Sequence, residues 1–361
     1  MFGATEDEGI GWSCKRDMRY MKVVMAEMAH SINMNLATYY YDGQDITANR
    51  LKSVLQNLNC SPQDIVFFYY TGHGGRAQND PNTKFPQLLC KPTSDGWSDN
   101  NMIPVDYISK TIAQKHPQLH IVFTDCCNNE SRFITPKTDM YTSKGATVIK
   151  ETTKRLYQTL LKNKQGHVIV SSSKPGQISN CMDYEPGMGM ASFSFLVEIE
   201  LAEESQPNID WNTLLSKASK RTDTMAREQQ QRLQQKIVGQ EMVFEILAST
   251  VQSANPATSP TPQPVTNKLK TALLSVIDSK ATDNVRLNRA TAVLKEYFNS
   301  ANATIQIVGR DGNTILEREN ASVFLDRIAL APLLIDFVII DKKEINGKVS
   351  SITPHEIYTE H

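Results

Sequence analysis

Ile121 to Asn129 reads IVFTDCCNN, and with the two residues before it this stretch has the make-up of a strand buried on both faces. It breaks into a polar turn that carries two adjacent thiols, Cys126 and Cys127. Upstream, DIVFFYY at 64–70 is a second continuous apolar strand, and it breaks into TGHGGR at 71–76. A thiol and an imidazole therefore each stand where a hydrophobic strand ends, and in open α/β sheets ligands bind at that end. Together they supply a nucleophile and its acid/base partner. Taken singly, each has a plainer reading. A histidine after a strand is usually a surface or satisfied core residue, and a buried cysteine is usually an inert small hydrophobe. The glycines shift the balance. Gly72, Gly74 and Gly75 allow a sharp turn and close approach to a ligand, and the amide of Gly74 can face a developing oxyanion.

Working outward, the pattern alternates between strand and helix. CKRDMRYMKVVMAEMAHS (14–31) places Met18, Met21, Val24, Met25 and Met28 on one helical face, a stripe read as core packing. A strand is expected at 34–41, an amphipathic helix at 46–58 and another at 104–115, opened by Pro104. A helix at 150–163, the strand HVIVSSS (167–173) and helices at 191–203 and 210–235 follow. The predicted class is α/β: a three-layer α-β-α sandwich around a mostly parallel sheet. Four prolines among small polar residues mark 252–266 as a linker. Beyond it, helices at 267–279, 284–299 and 320–330 and strands at 303–309, 333–341 and 347–357, with an Asp311-Gly312 hairpin turn, predict a small α+β domain over 267–361. Its order of elements is a little like the cone-shaped NTF2-like folds, a fold-level analogy only. The expected domains are thus 1–251, the linker, and 267–361.

Bulk properties exclude several classes. With 38 basic and 39 acidic side chains the formal net charge is −1, which gives no footprint for nucleic acid or an anionic membrane. No apolar run has the length of a membrane span. The six cysteines include no C-x-x-C pair, so neither a disulfide scaffold nor a zinc site is expected, and Cys126, Cys127 and His73 lack zinc-ligand spacing. The N-terminus has no basic start or long apolar core, although Phe2-Gly3-Ala4-Thr5 reads as the end of a strand that begins before the sequence does. Free thiols lean the compartment towards the cytoplasm.

FFYYTGHGG followed by IVFTDCCNN resembles the caspase-like cysteine peptidases, most closely the metacaspase and bacterial caspase-like branch, which shows Y-[ST]-G-H-G and then D-x-C at a strand end. His73 and Cys127 stand 54 positions apart, close to the caspase spacing of about 50. GIGWSCKRDMRYM (9–21), HVIVSSSKPGQIS (167–179) and GMGMASFSFLVEIELAE (187–203) extend the likeness over about residues 1–250. The resemblance implies a cysteine endopeptidase with Cys127 as nucleophile, His73 as general acid/base, and the amides of Gly74 and Cys127 as oxyanion hole. It implies a first substrate pocket at Cys14, Asp17, Thr71 and Asp125, whose carboxylates favour Arg or Lys. Arg16 and Arg76 keep an Asp preference as the alternative. Asn128-Asn129-Glu130 depart from the family's small residue or His followed by Ser-Gly, which bears on the shape of the turn.

Some members of the branch need calcium, but Asp95, Asp99 and Asp106 match no compact calcium loop, so no metal or other cofactor is expected. If the pocket takes a cation, Arg132, Lys137, Lys144 and Lys150 become candidate self-cleavage sites. The expected partner is a protein or peptide substrate, with the C-terminal domain serving substrate targeting or dimerisation. The rival reading is a caspase-like fold kept as a non-catalytic binding module. A serine hydrolase is excluded by the lack of a G-x-S-x-G elbow.

Overall fold

The structure, a computed structural model, describes residues 1–76, 83–90, 101–129, 147–184, 187–251, 268–310, 312, 314–331 and 333–359. The chain opens with β1 (Phe2–Gly3), α1 (Gly11–Ser31), β2 (Tyr41–Asp42), α2 (Ala48–Gln56), β3 (Ile65–Thr71), β4 (Gly74–Gly75), β5 (Gln87–Leu89), β6 (Met102–Pro104), α3 (Val105–Ala113) and β7 (Leu119–Asp125). It continues with β8 (Thr147–Ile149), α4 (Glu151–Tyr157), β9 (Lys164–Ser171), α5 (Met190–Ser205), α6 (Trp211–Arg232) and β10 (Val243–Thr250). The last elements are α7 (Lys268–Val276), α8 (Asp283–Tyr297), β11 (Thr304–Val308), β12 (Ile315–Asn320), α9 (Ala321–Ala329), β13 (Leu334–Ile345) and β14 (Lys348–Thr359).

Two compact units interleave in sequence. One comprises Met1–Met18, Thr38–Tyr141 and Arg155–Pro262, the other Arg19–Ala37, Thr142–Lys154 and Gln263–His361. The first is built on a six-stranded sheet in the order β10-β9-β7-β3-β1-β2. Every pairing is parallel except that of β10 with β9. Every residue of β7 is buried, which explains its unbroken apolar run. Side chains alternate across β3: Phe68 and Tyr70 join the core with α2 and α3, while Tyr69 meets Phe123, which leads on to Phe195 and Trp211. The α/β class expected from the sequence is the class observed.

Three local readings change. The strand expected at 34–41 shrinks to Tyr41–Asp42, because its only neighbour, β1, offers two residues to pair with. The helix expected at 150–163 is α-helical to Tyr157 and then widens into a π-helical turn, Gln158–Lys162. β10 was not expected at all; it is an edge strand with one mostly exposed face, so it lacks the apolar signature of the central strands. A small sheet, β4-β5-β6, follows the His73 loop and packs Leu88 and Ile103 into the core.

In the second unit β14 lies between β11 and β13 and also pairs with the short β8, an element with no signal in the sequence. Helices α7, α8 and α9 cover a core that includes Leu273, Phe324 and Phe337. Glu27 of α1, 1% exposed, pairs with Arg310 at 2.6 Å and lies 3.7 Å from His355, giving this unit a buried charged cluster. The expected linker falls outside the described residues, as do Asp95, Asp99 and Asp311.

The β9–β10 edge has one point of close approach. Gly166 sits at φ +113°, and a Cβ there would lie 1.9 Å from the carbonyl oxygen of Leu247. Gly166→Ala is expected to destabilise the first unit by about 1–3 kcal/mol, read as a lowered urea midpoint with an unchanged m-value; an unchanged midpoint would refute the register.

Candidate active site

The parallel register of β3 and β7 fixes the geometry. Thr71 lies opposite Asp125, so His73 and Cys127 each stand two residues beyond a paired position on adjacent strands. The loops stay tied together past the strands. The amide of Gly72 donates to the carbonyl of Asp125 at 3.1 Å, and that of Arg76 to Asn129 at 3.2 Å, one bond before the two residues and one after.

The two thiols separate by burial. Cys126 is 1% exposed and lies under the His73 loop, where a Cβ on Gly74 would come within 2.5 Å of its sulfur. Cys127 is half-buried. The Cys126 backbone is clamped by the end of β9: its amide donates to Ser172 Oγ at 3.0 Å, and its carbonyl accepts from Ser172 Oγ at 2.9 Å and Ser173 Oγ at 3.1 Å. Asn128, fully buried, accepts from Arg76 and donates to the carbonyls of Lys84 and Ser173. The residue that departs from the family's turn is therefore the one that pins this turn to three segments.

His73 is held from two sides. Tyr70 Oη lies 2.6 Å from the carbonyl of His73 and 2.7 Å from that of Leu89 and shares its one proton between them, and Gly72 leaves room for it, since a Cβ at position 72 would lie 2.7 Å from that hydroxyl. On the ring, Nε2 lies 3.0 Å from Asp7 Oδ2. Asp7 was missed by the sequence reading. Its only signal is an acidic residue just before the first helix, the composition of a helix start.

Cys14, Asp17, Thr71 and Asp125, the residues of the expected first pocket, lie together. Thr71 Oγ1 donates to Asp17 Oδ2 at 2.7 Å and approaches Cys14 Sγ at 3.5 Å. Asp17 Oδ1 accepts from the amide of Gly189 at 3.0 Å. Asp125 takes Ser179 Oγ at 2.6 Å on one oxygen, and the amide and hydroxyl of Ser192 at 2.9 and 2.7 Å on the other. Both carboxylates press on Gly189, where a Cβ would lie 2.3 Å from Asp125 Oδ2 and 3.1 Å from Asp17 Oδ2. All these donors are neutral. Burial, followed by the neighbouring charge of Asp125, pushes the Asp17 carboxyl well above the usual carboxylate range. Two neighbouring carboxylates repel when both are ionised, which disfavours charge on one of them. An added cation would relieve that repulsion. Ser179, Ser192 and Gly189 were also missed, because neutral hydroxyls and glycines carry no charge pattern in sequence.

The two arginines of the alternative reading are occupied elsewhere. Arg76 donates to Asn128 Oδ1 and to the carbonyl of Thr83, and Arg16 stacks over Trp12 at 5.6 Å. Of the acidic residues considered for calcium, Asp106 lies in the first turn of α3. Among the described residues no group of three or more His, Cys, Asp or Glu is placed to hold a metal ion.

Comparison with known proteins gives one family. The model of the caspase domain of the C14 peptidases matches residues 13–243, a span that takes in both loops and the acidic pocket. No curated protein matches the chain. Among solved structures, the crystal structure of caspase-1 from Spodoptera frugiperda is similar at 12% identity and a TM-score of 0.40, covering 64% of this chain and 77% of that one.

Burial pushes the Cys127 thiol up to about 11; the amide of Ser179, 3.3 Å from the sulfur, works in the other direction and Asp125 adds to the rise. The resting thiol is thus protonated at neutral pH. Iodoacetamide alkylation of Cys127, followed by mass spectrometry, is expected to accelerate about tenfold per pH unit from pH 7 to 9. A rate that is already flat from pH 6 to 8 would show a preformed thiolate and refute this.

Proposed function

The chain belongs to the caspase-domain family of cysteine peptidases, and from that premise we propose that it is an active endopeptidase that cleaves peptide bonds after Arg or Lys. The observation that carries the catalytic reading is the pair of tied loops: a half-buried Cys127 and a braced His73 at equivalent positions past two adjacent parallel strands. Cys127 attacks the scissile carbonyl as His73 takes its proton. The thiol is neutral at rest, so proton transfer and attack are coupled. His73 then gives the proton to the leaving amine, and water hydrolyses the thioester. The amides of Gly74 and Cys127 face the oxyanion of each tetrahedral intermediate.

The specificity reading rests on Asp17 and Asp125. A guanidinium or ammonium entering beside Gly189 would meet two carboxylates whose present partners are all neutral, so the cation supplies the missing countercharge. An aspartate side chain would add a third negative group there. Because the Asp17 carboxyl is raised, it must lose its proton when a cation binds, and affinity for such substrates should increase as pH rises through its ionisation.

The reading extends to self-processing. Of the four basic residues considered for it, Lys150 is exposed between β8 and α4, while Arg132, Lys137 and Lys144 lie outside the described residues. The C-terminal unit would serve substrate targeting or self-association.

A positional-scanning fluorogenic peptide library tests activity and first-pocket preference together. Cleavage after Arg or Lys is expected, with Cys127→Ala and His73→Ala each losing at least about 10³-fold in kcat. Asp17→Asn should lower kcat/KM for Arg substrates by roughly 10- to 100-fold while leaving the alkylation of Cys127 unchanged. Cleavage after Asp would overturn the specificity. An absence of cleavage together with no labelling of Cys127 by an Arg- or Lys-directed electrophile would favour a non-catalytic module. Self-processing is checked by incubating wild type beside Cys127→Ala: two fragments should appear only in the former, and equal fragmentation of both would end that part of the proposal.

A further inference from the structure

Asp7 is bound in a way that a helix-start residue alone does not require. One carboxylate oxygen, Oδ1, accepts the amides of Gly9 at 2.8 Å and Ile10 at 3.0 Å, just before α1 begins. The main chain is fixed as well: the Asp7 amide donates to the carbonyl of Ala4, and the Asp7 carbonyl accepts from Gly11. With these four anchors in place, the remaining oxygen, Oδ2, is aimed at His73 Nε2, 3.0 Å away, and the Asp7 side chain is only 3% exposed. The contact spans 66 positions of sequence, so it is made by the tertiary fold and not by a local turn.

We propose that Asp7 is a positioning residue for His73, holding the neutral ring in the Nε2–H tautomer so that Nδ1 is the nitrogen that takes the proton of Cys127. An ionised carboxylate can only accept a hydrogen bond, so the ring nitrogen it faces must carry the hydrogen. In neutral imidazole the other nitrogen then holds the lone pair. When the S–H bond of Cys127 breaks and an N–H bond forms at Nδ1, the ring becomes an imidazolium beside the Asp7 carboxylate, which offsets its charge. Hydrogen bonds from His73, Ile10 and Gly9 keep the Asp7 carboxyl below its ordinary range, although burial alone would raise it. The deduction about rate rests on the peptidase reading above, whereas the tautomer does not.

Asp7→Asn separates positioning from a merely structural role. The Asn side-chain oxygen must keep accepting from Gly9 and Ile10, since turning the amide round would set its NH₂ against two N–H donors. The NH₂ group then faces Nε2, makes it the acceptor and moves the ring proton to Nδ1, where it blocks transfer from the thiol. In protein labelled with ¹⁵N-histidine, with His73 assigned through His73→Gln, wild type is expected to show Nε2 protonated and Asp7→Asn to show Nδ1 protonated. In the peptide assay Asp7→Asn should lower kcat by about 10²- to 10⁴-fold with KM within about twofold. The tautomer is also read in Cys127→Ala protein, so a failure of the peptidase reading does not silence it. A proton on Nδ1 in wild type overturns the proposal, and does so without requiring any variant to fold. A folded Asp7→Asn protein with unchanged tautomer and unchanged kcat overturns it equally.

Discussion

The site depends on one constraint, the unshifted parallel register of β3 against β7 that sets Thr71 opposite Asp125. Side chains alternate strictly along a strand, so a slip of one residue would turn every side chain of one strand to the other face. Here β7 and the second half of β3 are buried on both faces, which makes such a slip costly: Tyr69 and Tyr70 would exchange environments, and each hydroxyl is committed to its own partners. The same register brings His73 level with Cys127, while Asp17 reaches Thr71 from α1. One strand pairing thus sets level the two loops that carry the proposed catalytic pair.

The second organising feature is how polar groups are satisfied in a dry interior. Asp17, Asp125, Asn128 and the Cys126 backbone are all buried, and leaving any one of their groups without a partner would cost on the order of 1–3 kcal/mol. Apart from Arg76 on Asn128, the chain meets this with neutral groups: serines at the end of β9 and the start of α5, Thr71, and the amide of Gly189. Neutral donors hold the carboxylates in place without cancelling their charge, which leaves an electrostatic demand in the pocket. A buried Arg–Asp pair would have been an alternative way to satisfy them and would have abolished that demand. Burial also disfavours charge on both the Asp17 carboxyl and the Cys127 thiol.

Much of this was legible before any coordinates. Continuous apolar runs identify β3, β7 and β9 because strands covered on both faces cannot alternate, and the residues after them could be placed at the functional end of a parallel sheet. Cys127 could be chosen over Cys126 only through the family resemblance, and the burial of the two thiols then gave that choice a physical basis. Elements whose stability comes from a partner were the ones misread. β10 is an exposed edge, β8 is three residues long, and the stretch before Tyr41 fails as a strand because β1 is too short to pair with it.

The sequence by itself determined the alternation of strand and helix, the placing of a thiol and an imidazole at two strand ends, and two carboxylates at family positions. These are encoded in residue type and periodicity, which act over a few neighbours. Only the tertiary structure decided which groups hold them. Asp7 reaches His73 across 66 positions, Ser179 reaches Asp125 across 54 and Gly189 reaches Asp17 across 172. A hydrogen bond between residues that far apart depends on where the sheet and helices bring the backbone, and no local pattern in the chain announces it.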